Sequence, residues 1–149
     1  MLWVVITLKW SLQQLYRFGK NPFKFAGEFN FTERIETIDD ILDISVVTVE
    51  GFGQNINDDR YIFEMHIECT LILECARTLD PVEYPISLDV VEIYDTVDDG
   101  EVNYIEKNTI NLEDAVWENI YLEKPMRVFK EGTSQYKDDE HELESFLND

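Results

Sequence analysis

The side chains that could do chemistry gather along one stretch, Tyr61 to Leu79. Glu64, His66, Glu68 and Glu74 share its even positions, and a histidine among carboxylates has the makings of a divalent-metal or acid–base site. The same spacing describes a solvated sheet face, on which His66 is a surface histidine, as His141 is in the acidic tail. No nucleophile–base arrangement stands out. Asp98-Asp99 before Gly100 does not match a calcium loop, and no glycine-rich loop is built to cradle a phosphate. These residues point away from an enzyme and toward a protein that works by binding.

Two sets are suited to contact. Arg77 is the only Lys or Arg between Arg60 and Lys107, and it follows the stretch directly, in a turn. It either braces that turn through Asp80 or Glu83 or meets a partner. Near the start, Lys9, Trp10, Tyr16, Arg17, Lys20, Phe23 and Lys24 mix rings with cations. RNA-contacting surfaces have this composition, since bases stack on rings and phosphates pair with cations. A packed first helix with snorkelling lysines has it too.

Elements must hold these residues in place. Tyr61, Phe63, Met65, Ile67, Cys69, Leu71, Leu73 and Cys75 are apolar and alternate with the polar set, which predicts one long strand with a dry and a wet face. The alternation stops at Cys75, where a turn leads to Pro81. Phe23, Phe25, Phe29 and Phe31 predict a strand over 23–31, with Gly27 marking a bulge or a close backbone approach. A third strand over 46–53 joins the long one through the polar run 54–59, as a hairpin. The fourth, 82–94, changes phase at Val90-Val91, which predicts a bulge; Pro85 cannot donate to a ladder and places this strand at an edge or in irregular pairing.

Ser11 and Gln14 form a capping box for a short helix with Leu12, Leu15 and Tyr16 on one face and Gly19 at its end. Asn111 caps a helix over 112–123, whose Leu112, Ala115, Val116 and Ile120 make one apolar face and which Pro125 stops. Residues 32–44 fit a helix or an irregular loop with isoleucine anchors, and 95–101 reads as a flexible loop. The expected fold is α+β, a mainly antiparallel β-sheet with the two helices packed on its apolar face. One domain over 8–130 carries it. Residues 1–7 are expected to be a non-native or disordered extension, with Leu8 at a non-standard start codon, and 131–149 a mobile acidic tail.

Charge narrows the partners. The 149 residues hold 12 basic and 32 acidic side chains, a net charge of −20. Residues 1–27 carry Lys9, Arg17, Lys20 and Lys24 and no acid, so the remainder stands at −24. Such a surface repels nucleic-acid phosphates at long range and favours basic partners. Cys69 and Cys75 lie on one face of the strand, about 20 Å apart along a straight chain. A disulfide needs Cα atoms within about 7 Å, so they are free thiols, which fits a cytoplasmic setting. The apolar start is too short to span a bilayer.

Three segments resemble one family. Leu8-Lys9-Trp10-Ser11-Leu12-x-x-Leu15 is similar to the opening of YlbN-type proteins of Gram-positive bacteria. Cys75-Ala76-Arg77-Thr78-Leu79-x-Pro81-Val82-x-Tyr84-Pro85 is similar to their central motif. Asn111-Leu112-x-x-Ala115-Val116-Trp117-Glu118-Asn119-Ile120-x-Leu122-x-x-Pro125 resembles their late helix and its proline. Order and spacing match over residues 8–130, and the family is the YceD/YlbN group, named for large ribosomal RNA subunit accumulation. The resemblance implies a cytoplasmic, non-catalytic factor for 23S ribosomal RNA accumulation. It also suggests basic ribosomal protein bL32, or a 23S precursor, as partner. Other members carry Cys-x-Arg-Cys and a further His and Cys, a set suited to zinc. Here Thr78 replaces the second Cys and no cysteine follows Cys75, so no metal or other cofactor is carried over. The rival reading is an acidic adaptor, or an inhibitor that mimics nucleic acid to hold a basic partner.

Overall fold

The computed structural model describes residues 8–129; the expectations for 1–7 and for the acidic tail from 131 lie outside them. In chain order the elements are β1 (Lys9–Ser11), α1 (Leu12–Tyr16), β2 (Phe23–Phe29), β3 (Ile41–Ile44), β4 (Val47–Asn57), β5 (Arg60–Glu74), β6 (Pro81–Asp95), β7 (Asn103–Tyr104), β8 (Thr109–Asn111) and α2 (Glu113–Glu123). The fold is α+β. The main sheet runs β2-β4-β5-β6-β7, with β3 beside β5, and β1 pairs β8 in a separate ribbon. Every pairing is antiparallel except the short β6–β7 contact.

β5 is the axis. Its apolar side chains, from Tyr61 to Leu73, are buried, and its even positions face outward or lie half-covered. The covering layer is β1 with α1, the turn after Phe31, and β8 with α2. Trp10 packs on Phe23, Phe25 and Phe63 at ring-centroid distances of 5.8, 5.4 and 5.4 Å, and Trp117 meets Phe31 at 5.3 Å. Leu12 and Leu15 from α1 and Leu112, Ala115, Val116 and Ile120 around α2 complete this core. Tyr16 departs from the expected apolar face: it is 54% exposed, and its hydroxyl donates to Asp59 at 2.9 Å.

Local signals act as their chemistry dictates. The Ser11 hydroxyl accepts from Gln14 N–H and the Gln14 amide oxygen from Ser11 N–H, a complete capping box. The N-cap of α2 is Leu112, which has no side-chain cap, rather than the expected Asn111; Asn111 Oδ1 accepts from Glu113 N–H at 2.9 Å in the turn that leads into the helix. Residues 32–38 form a turn anchored by Ile35, and β3 follows, a short strand that the ambiguous isoleucine pattern did not single out. The loop after β6 is organised around Arg60, which reaches Asp95 at 2.9 Å and Asp99 at 3.0 Å.

Two expectations for the sheet are corrected. The β5–β6 register is unbroken from Tyr61↔Tyr94 to Glu74↔Pro81, so Val90-Val91 is no bulge. Val91 lies on the uncovered face, 58% exposed. The position that breaks the apolar pattern on the covered face is Glu92, whose carboxylate accepts from the side-chain amides of Asn103 and Asn119 at 2.8 and 2.7 Å. Gly27 stays in regular register with Val49. The glycines that make room are on β4: a Cβ on Gly51 would run into the Glu64 carbonyl oxygen, and one on Gly53 would come within 2.5 Å of the Phe23 ring.

Pro85 lies on a stretch of β6 that, among the described residues, pairs with β5 alone, since β7 reaches only Tyr94 and Asp95. Opposite it, Thr70 accepts from Ser45 N–H and donates its own N–H to Ser45 Oγ, so its backbone faces away from β6. Pro85 is therefore in a non-hydrogen-bonded pair, its missing N–H turned to the free side of the strand. There a proline costs no ladder bond and blunts the edge against foreign strands.

Candidate functional site

Two surfaces on β5 could meet partners. The first is the outer face of the sheet, opposite the helices. Pairing registers set its side chains in rows across four strands: Glu28, Thr48, Glu68, Ser87; then Ala26, Glu50, His66, Asp89; then Lys24, Phe52, Glu64, Val91. Two shallow troughs of about 690 and 590 Å³ share Ala26, Glu50 and His66, so the rows form one continuous concave floor. Five carboxylates face one lysine, and the lysine sits 5.4 Å over the Phe52 ring at the border.

At its centre His66 is engaged through both ring nitrogens, Nδ1 by Asp89 at 2.8 Å and Nε2 by Glu68 at 2.8 Å. Ser87 Oγ also lies 3.2 Å from Nε2. Ser87, His66 and Asp89 thus share the connectivity of a hydrolytic triad, which no spacing in the chain announced because the ladder, not the sequence, brings β5 and β6 together. Glu68 spoils that reading. Hydrogen bonds from Asp89 and then Glu68 raise the imidazole pKa above the ordinary histidine value, favouring an imidazolium that cannot take a serine proton. Asp89, at 89% side-chain exposure, stands in solvent rather than in a dry site. Among the described residues no group of three or more His, Cys, Asp and Glu is arranged to hold a metal.

The second surface is the turn after β5. The backbone closes it: Cys75 N–H donates to Asp80 O at 2.8 Å, Leu79 N–H to Cys75 O at 2.9 Å, and Ala76 N–H to Val128 O at 2.8 Å. Leu79 takes a positive φ of 66° and is 64% exposed. Arg77 is exposed, and its guanidinium lies 5.9 Å over the Phe129 ring, with that of Arg127 at 5.5 Å from the same ring. Arg127 and Phe129 escaped the sequence reading because they stand far along the chain, and only the bridge between Cys75 and Val128 brings them here. Cys75 is fully buried and its sulfur accepts from Thr78 N–H at 3.4 Å. Burial pushes the other thiol, Cys69, up to about 11.

The remaining candidates do not converge on Arg77. Trp10 is 4% exposed, so as a contact residue it is corrected: its ring is the hub of the aromatic core and cannot stack on a base. Lys9 and Arg17 are exposed, Lys20 donates to Ile56 O at 3.0 Å, and Lys24 borders the acidic face. Lys20 and Lys24 flank the Phe63 end of β5, whereas Arg77 follows Glu74, about 35 Å further along the strand. Of the other motif residues, Pro81 opens β6, Trp117 packs on Phe31, Glu118 is exposed and Pro125 follows the last turn of α2. Among the described residues no helix is long and apolar enough to cross a membrane.

Residues 63–148 match the family described as large ribosomal RNA subunit accumulation protein YceD. The chain is 32% identical over 133 residues to a Bacillus subtilis (strain 168) protein called uncharacterized protein YlbN, covering 86% of this chain and 77% of the relative. No solved structure matches the chain. The matched segment takes in most of β5, the turn with Arg77, α2 and Phe129, and on these grounds the chain belongs to the YceD family of large ribosomal RNA subunit accumulation proteins.

Proposed function

We propose that this protein is a non-catalytic, cytoplasmic factor that supports 23S ribosomal RNA accumulation, and hence large-subunit biogenesis, by binding. The observation that carries the reading is the opposition of two surfaces on one strand. The outer face gathers carboxylates, while the turn beyond Glu74 offers Arg77, Arg127 and an aromatic ring. Carboxylates suit a basic ribosomal protein, with bL32 the candidate. Guanidinium groups over a ring suit the phosphates and bases of a 23S precursor. The two carboxylates on His66 favour its protonated form, which suits a binding surface better than a general base.

Depletion followed by sucrose-gradient profiling tests this. A lowered 23S to 16S ratio and a reduced 50S peak are expected; an unchanged ratio with a normal 50S peak overturns it. A nuclease-treated pull-down then separates a direct protein partner from one bridged by RNA.

A further inference from the structure

We infer that the open face of the sheet is a docking groove for an extended segment of a basic protein, with lysine or arginine at alternate positions. This rests on the proposed function and names the surface and the chemistry of its protein partner. Successive rows on the face are two residues apart along the strands, about 6.6 Å. An extended chain repeats its same-side residues at the same interval. Laid along β4 and β5, it brings alternate side chains over Glu28 and Glu68, then Glu50 and Asp89, then Glu64. The floor accepts the rest of such side chains: Ala26, Phe52 and Val91 offer apolar surface for methylene stems, with Phe52 49% and Val91 58% exposed. Lys24 over Phe52 shows that this ring takes a cation on its face. The helices and the β1–β8 ribbon all pack on the opposite side, leaving the groove open among the described residues. A phosphate chain in the same place would meet five carboxylates against Lys24 and the His66 ring that Asp89 and Glu68 hold.

The test uses the full chain and a fluorescein-labelled peptide alternating lysine and valine, followed by anisotropy. Binding that weakens as salt rises is expected. The double variant Glu50→Lys/Glu64→Lys should lose about tenfold or more in affinity. Glu36→Lys/Glu123→Lys, an equal change in net charge away from the groove, should stay within about twofold. If circular dichroism shows the first pair unfolded, Glu50→Gln/Glu64→Gln replaces it, with a loss of about threefold or more expected. No measurable binding, or equal loss from both pairs, overturns the groove. So does self-association of the chain that vanishes with Glu50→Lys/Glu64→Lys, since the occupant is then a second copy. Failure here with a 23S defect on depletion removes the groove alone, whereas peptide binding with a normal 23S level removes the ribosomal role alone.

Discussion

Asp89 stands directly across the β5–β6 ladder from His66, and its carboxylate oxygen lies 2.8 Å from Nδ1. With Glu68 on the other nitrogen at 2.8 Å, both bonds favour the protonated ring. Its pKa should exceed the ordinary value of 6.5, and Asp89→Asn should lower it, Asp89 being the larger cause. Because the folded value is raised, the stabilisation is complete below the unfolded value and fades as pH rises through the folded one. NMR titration of the His66 ring checks this; a midpoint at or below 6.5 sinks it.

Gly51 and Gly53 face the covered side of β4 where nothing larger fits. Gly53→Ala pushes on the Phe23 and Phe63 rings, at 2.5 and 2.9 Å from the new Cβ, and should cost about 1–3 kcal/mol. Gly51→Ala meets the Glu64 carbonyl, which cannot swing away without opening the β4–β5 ladder, so it should cost more than Gly53→Ala. Urea unfolding of the two variants gives the order directly. The reverse order would show that the ladder yields more readily than the rings.

Glu92 links β6 to α2 and β7 through two amide donors, from Asn119 and Asn103. Glu92→Leu leaves both amides without their carboxylate, although each keeps a backbone carbonyl, Ala115 O and Ile93 O. A loss of about 1–3 kcal/mol is expected by chemical denaturation. A neutral or stabilising result would mean that apolar burial at this position outweighs the bonds.

What the chain betrayed in advance was whatever its period or caps encode locally. The alternation from Tyr61 to Cys75 marked β5, Ser11 and Gln14 marked α1, and Pro85 marked an edge, because each signal needs only near neighbours. β3 was hidden because Ile41, Leu42 and Ile44 fit more than one period. The phase change at Val90-Val91 misled because a polar Glu92 satisfied by two asparagines can occupy a covered position. The surfaces were least legible. Ser87 meets His66, and Arg127 and Phe129 meet Arg77, only through pairings between distant segments.

Trp10 illustrates the cost of reading composition as surface. Its ring contacts Phe23, Phe25 and Phe63 in the core. Trp10→Ala should cost about 3–5 kcal/mol, whereas Lys24→Ala, at an exposed site, should stay within about 0.5 kcal/mol. Thermal or urea melts separate the two. A Trp10→Ala protein of normal stability that fails to bind RNA would return this residue to the contact surface.

Arg77 carries the sharpest separation between scaffold and contact. The turn around it is closed by backbone bonds from Cys75, Ala76 and Leu79, and its guanidinium lies over the exposed face of a ring that Arg127 also covers. An exposed cation–π pair is worth about 0.5–1 kcal/mol, so Arg77→Ala should leave the unfolding midpoint nearly unchanged. Arg77→Lys keeps the charge but loses the planar fork, so it should behave like Arg77→Ala if the guanidinium reads a partner. Introduced into cells in place of the native protein, both should lower the 50S peak while the protein accumulates normally. A large loss of stability would instead make Arg77 the brace of its turn, and the recognition surface would have to lie elsewhere on the sheet.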